Sequence, residues 1–526
     1  MPPGPGFHDG GMDIVVKTAA GRLRGVTVDG GWAFLGIPYA APPFGANRLR
    51  PPAPATPWSG IRDATRPGPE PPQVAPPSAA GPGGAAAEDW DEVNSAFAAV
   101  PKAEPAEDCL NLNLWTPDPA ASGLPVMVWI QGGMFELSST AAYDGSRFAR
   151  DGVICVVINW RPGAEGFLYL GDGIANLGLL DQAAALHWVQ DNIATFGGDP
   201  GNVTVFGESA GAMSIGMLLA MPRAEGLFRR AILQSGAAHH VIPAADALRT
   251  ASYLAGKLGV PATREAIAGV GVQRLLSAQA ELKSELLSDP DPERWGLAVL
   301  ASTMPWQPVV DGDILPEVPI ERITAGAGQA VDVMAGTNTD DWRLWLVMSG
   351  ALGGITDQIL TGPVRSYGHQ ALAAYGLPVE AALSAYRTRY PGISPGDLLA
   401  AAQTDWWMRI PAIRLADAHA NPGSGTYMYE FAWESPGLGA VHALEIPFVF
   451  DTATTDAPLF GHLLGPEPPQ ELARTMHAAW VAFASTGDPG WPRYAPPQRA
   501  TMRFSTASRV VEDPRAWERD LWKGVR

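Results

Sequence analysis

Val203-Thr-Val-Phe206, then Gly207-Glu-Ser-Ala-Gly211, then Ala212-Met-Ser-Ile-Gly-Met-Leu-Leu-Ala220 is the stretch that decides the fold. A short apolar, β-branched run reads as a buried strand. The segment after it is helix-compatible, and between them lies G-x-S-x-G. The pattern alone arises by chance in a chain with 59 glycines. A strand before it and a helix after it give it content: the serine sits on a sharp turn, held out of the fold beneath a helix N-terminus. The flanking glycines let neighbouring backbone come close. Ser209 is therefore the candidate nucleophile.

Outward from this turn the same rhythm repeats. Val126-Met-Val-Trp-Ile130 and Val153-Ile-Cys-Val-Val-Ile158 are apolar runs without alternation, which suit strands covered on both faces. Between them and the serine, Leu186, Val189 and Ile193 form a helical stripe that ends at Gly197-Gly198-Asp199-Pro200. Strand, helix, strand, turn, helix points to an α/β fold with a large, mostly parallel central sheet and helices on both faces. Val331–Ala335 and Tyr427–Phe431 resume strands later. Residues 243–330 and 346–425 read as mainly helical excursions. Residues 67–106, rich in Pro, Ala and Gly, read as a surface insertion. Residues 1–11 read as a loose tail, which leaves 12–526 as one catalytic domain.

Bulk properties narrow the function. The 526 residues carry 36 basic and 54 acidic side chains, a net charge of -18. That opposes binding to nucleic acid or to an anionic membrane surface. The first residues have neither a basic n-region nor an apolar h-region, and no apolar run of membrane-spanning length occurs. The two cysteines, Cys109 and Cys155, support no disulfide framework and no Cys-rich metal site. A bridge between them is the minority reading. The expectation is a cytoplasmic protein, monomeric, that needs no metal and no organic cofactor.

A serine used for acyl transfer needs a base, an acid to orient it and donors for an oxyanion. Among nine histidines, His442 stands out in the turn Gly437-Leu-Gly-Ala-Val-His442, after one strand and before Ile446–Phe450. His187, His239 and His240 have ordinary structural readings. In the order Ser, acid, His, the acid falls in Gly336-Thr-Asn-Thr-Asp340-Asp341, and spacing does not separate the two aspartates. Gln131-Gly132-Gly133-Met134-Phe135 directly follows a strand. It reads equally as a tight turn or as a set of backbone donors for an oxyanion.

These residues resemble the type-B carboxylesterase family, which includes bacterial para-nitrobenzyl esterases and the cholinesterases. The resemblance rests on Phe34-Leu-Gly-Ile-Pro-Tyr-Ala40, Glu107-Asp-Cys-Leu-Asn-Leu-Asn-Leu-Trp-Thr-Pro117, Gly178-Leu-Leu-Asp-Gln182 and Phe196-Gly-Gly-Asp-Pro200. It continues through Phe206–Gly211, Ala231-Ile-Leu-Gln-Ser-Gly236, Pro308-Val-Val-Asp-Gly312, Gly336-Thr-Asn338, His442–Phe450 and Gly487-Asp-Pro489. It implies an α/β-hydrolase fold with Ser209 as nucleophile, Asp341 rather than Asp340 as acid, and His442 as base. It implies oxyanion donors at Gly133, Met134 and Ala210, with Glu208, Ser235 and Gln131 in support. The implied activity is hydrolysis of small to medium esters, aromatic ones included, through an acyl-enzyme, with the ester and water as partners. Phe135, Trp306, Trp342, Trp345, Trp406 and Trp407 are the candidate substrate pocket.

Departures from the family pattern qualify this. Gln131 stands where a histidine is usual, and Met134 where Gly or Ala is. Asp341 replaces Glu, Glu165 replaces an apolar residue, and Pro71 stands where the usual cysteine partner of Cys109 would be. The variant oxyanion strand, Gln131 and Met134, together with Glu165 motivates a second reading, specialised acyl transfer, cyclisation, or carbamate or amide hydrolysis with the same triad. A non-catalytic, cholinesterase-like binding protein is a third.

Overall fold

A computed structural model of the chain describes residues 14–74, 104–361, 375–421, 423–455 and 461–525. The expected tail, residues 1–11, and most of the 67–106 insertion lie outside the described residues.

The apolar runs form strands buried on both faces, and alternation along each strand divides its side chains between two cores. In the strand Leu124–Ile130, Val126, Val128 and Ile130 enter one core while Met127 and Trp129 enter the other. Val203 and Val205 part from Phe206 in the same way, and Val333 and Ala335 from Met334. A pleated strand that is apolar on both sides needs cover on both sides. The helices Leu177–Asn192 and Ala210–Ala220 cover one face with Leu186, Val189 and Ile215. The helices Ser146–Arg150 and Gln470–Thr486 cover the other with Phe148, Trp480 and Phe483.

Fifteen strands are present among the described residues. They are β1 (Ile14–Lys17), β2 (Arg22–Val28), β3 (Gly31–Pro38), β4 (Ile61–Asp63), β5 (Asn111–Thr116), β6 (Leu124–Ile130), β7 (Ile154–Ile158) and β8 (Gly198–Glu208). After these come β9 (Arg230–Gln234), β10 (Ile242–Pro243), β11 (Val309–Val310), β12 (Asp332–Asn338), β13 (Thr426–Phe431), β14 (Ala500–Phe504) and β15 (Arg509–Glu512). Thirteen of them make one sheet in the order β1-β2-β3-β5-β7-β6-β8-β9-β12-β13-β14-β15, with β4 beside β2. From β7 to β14 every neighbouring pair is parallel, and the flanking pairs are antiparallel except β2 with β4. β10 and β11 form a separate short ribbon. This is the α/β-hydrolase architecture, a large mostly parallel sheet between helices.

The long stretches between strands are helical. Ala244–Leu258, Val272–Ser288 and Pro319–Thr324 lie between β10 and β12. Val379–Arg389, Pro395–Thr404 and Ile410–His419 lie between β12 and β13. The last two are joined by a single π turn, Asp405–Arg409.

Parallel strands end together at one edge, where α/β sheets place their chemistry. β6 leads into Gln131, β8 into Ser209, β12 into Asp340-Asp341 and β13 into the His442 loop. The turn after β8 depends on clearance. A Cβ on Gly211 would lie 1.8 Å from the Ile130 carbonyl oxygen, and one on Gly207 2.4 Å from the same atom. Gly211→Ala therefore collides with backbone that cannot withdraw. We expect it to cost more than about 2 kcal/mol, seen as a lower melting temperature or loss of soluble protein. Gly256, exposed within the helix Ala244–Leu258 and with nothing within 4 Å of its would-be Cβ, is the control. Gly256→Ala should be stabilising by roughly 0.5–1 kcal/mol.

Candidate active site

Ser209 is the junction between β8 and the helix Ala210–Ala220, with φ 57° and ψ -125°. This is a strained conformation for a residue with a side chain. It persists because its surroundings fix it. The Ser209 N–H donates to Gln234 O at 2.9 Å, its carbonyl accepts from Met213 N at 2.9 Å, and Gly236 packs against that carbonyl. The residue is 7% exposed.

His442 and Asp341 meet through their side chains: His442 Nδ1 lies 2.8 Å from Asp341 Oδ1. The backbone repeats the link, since His442 N–H donates to Asp341 O at 3.2 Å. Asp341 is fully buried, and its Oδ2 accepts from Ser235 Oγ at 3.1 Å and from Asn338 N at 3.0 Å. Asp340 faces elsewhere. Its N–H donates to Ala440 O and its Oδ2 accepts from Ala440 N, so it pins the His442 loop by the backbone. The structure thus separates two neighbours that spacing leaves equal.

His442 Nε2 points to the end of β8. Glu208 Oε1 lies 2.8 Å from it, an ion-pair distance without the alignment of a hydrogen bond. Burial alone would pull the imidazolium pKa down. The Glu208 charge and the Asp341 hydrogen bond outweigh burial and push it up to about 10. Burial also pushes the Glu208 carboxyl up.

A third acid, Glu445, lies behind them, fully buried. Its oxygens accept from Gln234 Nε2 at 3.1 Å and Asn338 Nδ2 at 2.7 Å, and Trp480 Nε1 donates to Gln234 Oε1. Burial, then the charges of Glu208 and Asp341, push its pKa up to about 8. Sequence reasoning missed this network. Its one signal was a carboxylate three residues past His442 inside an apolar run.

Gln131 to Phe135 form a tight turn against Ser209. Gly133, Met134 and Phe135 all have positive φ, 124°, 55° and 59°. A Cβ on Gly132 would lie 2.8 Å from Ser209 Cβ, so only glycine allows this approach. Gln131 turns away from the serine and donates through Nε2 to Ser138 Oγ at 2.8 Å. Ala210, also fully buried, is the first residue of the helix after Ser209. Glu165, the charge in an apolar place, accepts from Arg48 Nε and Nη2 at 2.9 and 2.7 Å and so is paired.

The aromatic candidates divide. Trp345 lies 4.6 Å from His442 between ring centroids, Trp342 is 4.3 Å from Trp345, and Trp407 is stacked 4.5 Å from Trp342. The row continues through His240, stacked on Trp407 at 4.7 Å, to Trp406 at 5.5 Å. The π turn holds Trp406 and Trp407 side by side, both buried. Trp306 is buried in the same apolar cluster, outside this row. Phe135 is fully buried edge-on against Phe167 and Trp160. Among the described residues no group of three His, Cys, Asp or Glu side chains could hold a metal ion. No described helix is long and apolar enough to cross a membrane.

Comparison with known proteins agrees with this geometry. Residues 12–522 match the Carboxylesterase family. The para-nitrobenzyl esterase of Bacillus subtilis (strain 168) is 34% identical over 520 residues, covering 96% of this chain and 97% of that protein. The fumonisin B1 esterase of Sphingopyxis macrogoltabida is 34% identical over 508 residues, covering 91% and 84%. A solved Geobacillus stearothermophilus carboxylesterase superposes with a TM-score of 0.80 at 36% identity, covering 97% of this chain and all of that one. The chain belongs to the carboxylesterase family and is a carboxylic ester hydrolase.

Proposed function

We propose that Ser209 is the nucleophile, His442 the general base, Asp341 the acid that orients it, and the N–H groups of Gly133, Met134 and Ala210 the oxyanion donors. One observation carries this reading. Asp341 lies at His442 Nδ1, while Nε2 lies at the strand end that bears Ser209, 2.8 Å from Glu208 Oε1. With Nδ1–H donated to Asp341, the Nε2 lone pair can take the Ser209 proton as Oγ attacks the ester carbonyl. Asp341 stabilises the imidazolium so formed. The backbone donors meet the developing oxyanion, each worth about 3–4 kcal/mol. Collapse expels the alcohol, which takes the proton from Nε2. Water then enters by the same route and releases the acid.

Ser235 and Glu208 support the triad, Ser235 by fixing Asp341 and Glu208 by setting the charge at Nε2. The tryptophan row beside His442 supports small to medium esters with an aromatic part, as does a relative named para-nitrobenzyl esterase. Cys109 and Cys155 are both buried and free, which supports a reducing, cytoplasmic setting. The net charge of -18 supports a protein that avoids nucleic acid and anionic membranes. We take the active form to be a monomer and the catalytic unit to be residues 12–526.

Ser209→Ala should lower turnover of short p-nitrophenyl esters by on the order of 10⁴-fold or more, and an organophosphate should label the Ser209 peptide and no other. Undiminished turnover in Ser209→Ala would refute the mechanism. Glu208→Gln tests the charge at Nε2. Removing that negative charge lowers the pKa of His442, so the basic ring becomes available at lower pH. The acidic limb of the kcat/KM profile should therefore move to lower pH; an unmoved limb would show that Glu208 does not act on the base. Met134 crowds the oxyanion turn, so Met134→Ala should raise the rate on tert-butyl esters relative to primary esters. An unchanged ratio removes Met134 from specificity.

A further inference from the structure

The oxyanion turn is held in a conformation that its own residues disfavour. Met134 and Phe135 are consecutive non-glycine residues with φ 55° and 59°. Such backbone is strained for a residue with a side chain and persists only where its surroundings over-determine it. The restraints can be traced. Phe135 O accepts from Gly163 N at 2.7 Å on one side of the turn. On the other, Ser138 Oγ accepts from Gln131 Nε2 at 2.8 Å and from Trp160 N at 3.2 Å.

Ser138 is itself gripped from outside the turn. Gln73 Oε1 accepts from Ser138 N at 2.8 Å, and Gln73 Nε2 donates to Ser138 O at 3.1 Å. One amide side chain thus satisfies both backbone groups of one residue, which fixes its orientation as well as its place. Glu70 supports the grip: its Oε2 accepts from Gln73 Nε2 at 3.3 Å, and its Oε1 accepts from the Ser139 hydroxyl. Residues 69–70 are anchored in turn. Pro69 O accepts from Asn111 Nδ2 at 2.8 Å, and Glu70 O accepts from Ala106 N at 3.1 Å. In this chain Pro71 stands between Glu70 and Gln73, and Cys109 is free. The anchoring seen here is therefore by hydrogen bonds.

We propose that Gln73 is a positioning residue for the oxyanion donors: its two-point grip on the Ser138 backbone, backed by Glu70, holds the Gly133–Phe135 turn in the strained form that aims N–H groups at the reacting carbonyl. It touches no substrate. It rests on the assignment of Gly133 and Met134 as donors. Without the grip the turn can relax, and donors that must sit within a few tenths of an ångström of their target lose aim.

The test compares two ketones of the same carbon skeleton. A trifluoromethyl ketone adds to the serine and places a tetrahedral oxyanion in the hole; the methyl ketone stays planar. In Gln73→Leu, kcat on p-nitrophenyl acetate per titrated active site should fall on the order of tenfold with KM nearly unchanged. The trifluoromethyl ketone should weaken by the same factor, and the methyl ketone should not. Gln73→Met, close in length and unbranched, should behave alike and serves if the leucine variant does not fold. Unchanged kcat per site, or equal weakening of both ketones, overturns the proposal. If the wild-type enzyme itself binds the trifluoromethyl ketone no better than the methyl ketone, the donor assignment fails first and the role of Gln73 falls with it.

Discussion

The carbonyl oxygen of Ile130 sets the spacing on which the working edge of the sheet depends. Ile130 is paired with Gly207 across β6 and β8, and its oxygen lies where side chains at Gly207 and Gly211 would have to be. Two strand ends this close leave no room for a gradual exit from β8, so the chain turns at once into a helix and Ser209 takes the strain. The same closeness brings the residues after β6 against the serine, down to the contact that Gly132 alone permits. The serine and the turn beside it are therefore one construction. A change at either glycine would disturb both halves together.

Charge is the second constraint. Glu208, Asp341 and Glu445 are buried around the single imidazole of His442. Three bare carboxylates and one cation in a dry space would repel more than they attract. The protein answers in two ways. Donors from Ser235, Asn338 and Gln234 take up carboxylate oxygens. Burial, with the neighbouring charges in the case of Glu445, pushes the Glu208 and Glu445 carboxyls upward, which favours their neutral forms. The proton affinity of His442 is therefore a property of the group rather than of the ring alone.

What the sequence made legible was what has a local cause. Val126–Ile130 and Val203–Phe206 lack alternation because they face two cores, so they can be read as covered strands without knowing the partners. The G-x-S-x-G turn shows itself because clearance must be bought with glycine at fixed positions. Asp341 needed more, since only the contact with a loop a hundred residues away distinguishes it from Asp340. The grip of Gln73 on Ser138 and the Glu445–Gln234–Asn338 network leave no trace of this kind. They join segments distant in sequence through single polar atoms, with no period and no composition bias. The stacking of His240 on Trp407 is of the same kind, set by the fold rather than by any local pattern.

The strained residues complete the argument. Among the described residues eleven non-glycine residues have positive φ, and five of them, Met134, Phe135, Ser209, Ser235 and Ala443, lie in or next to the site. Strain concentrated on both sides of a reaction centre implies that geometry there is imposed by support rather than by preference. Gln131 belongs to that support. The Gln131 side chain is 2% exposed and spends its donor on Ser138, away from Ser209. Met134 differs: its backbone belongs to the strained turn, and its partly exposed side chain packs against the larger core.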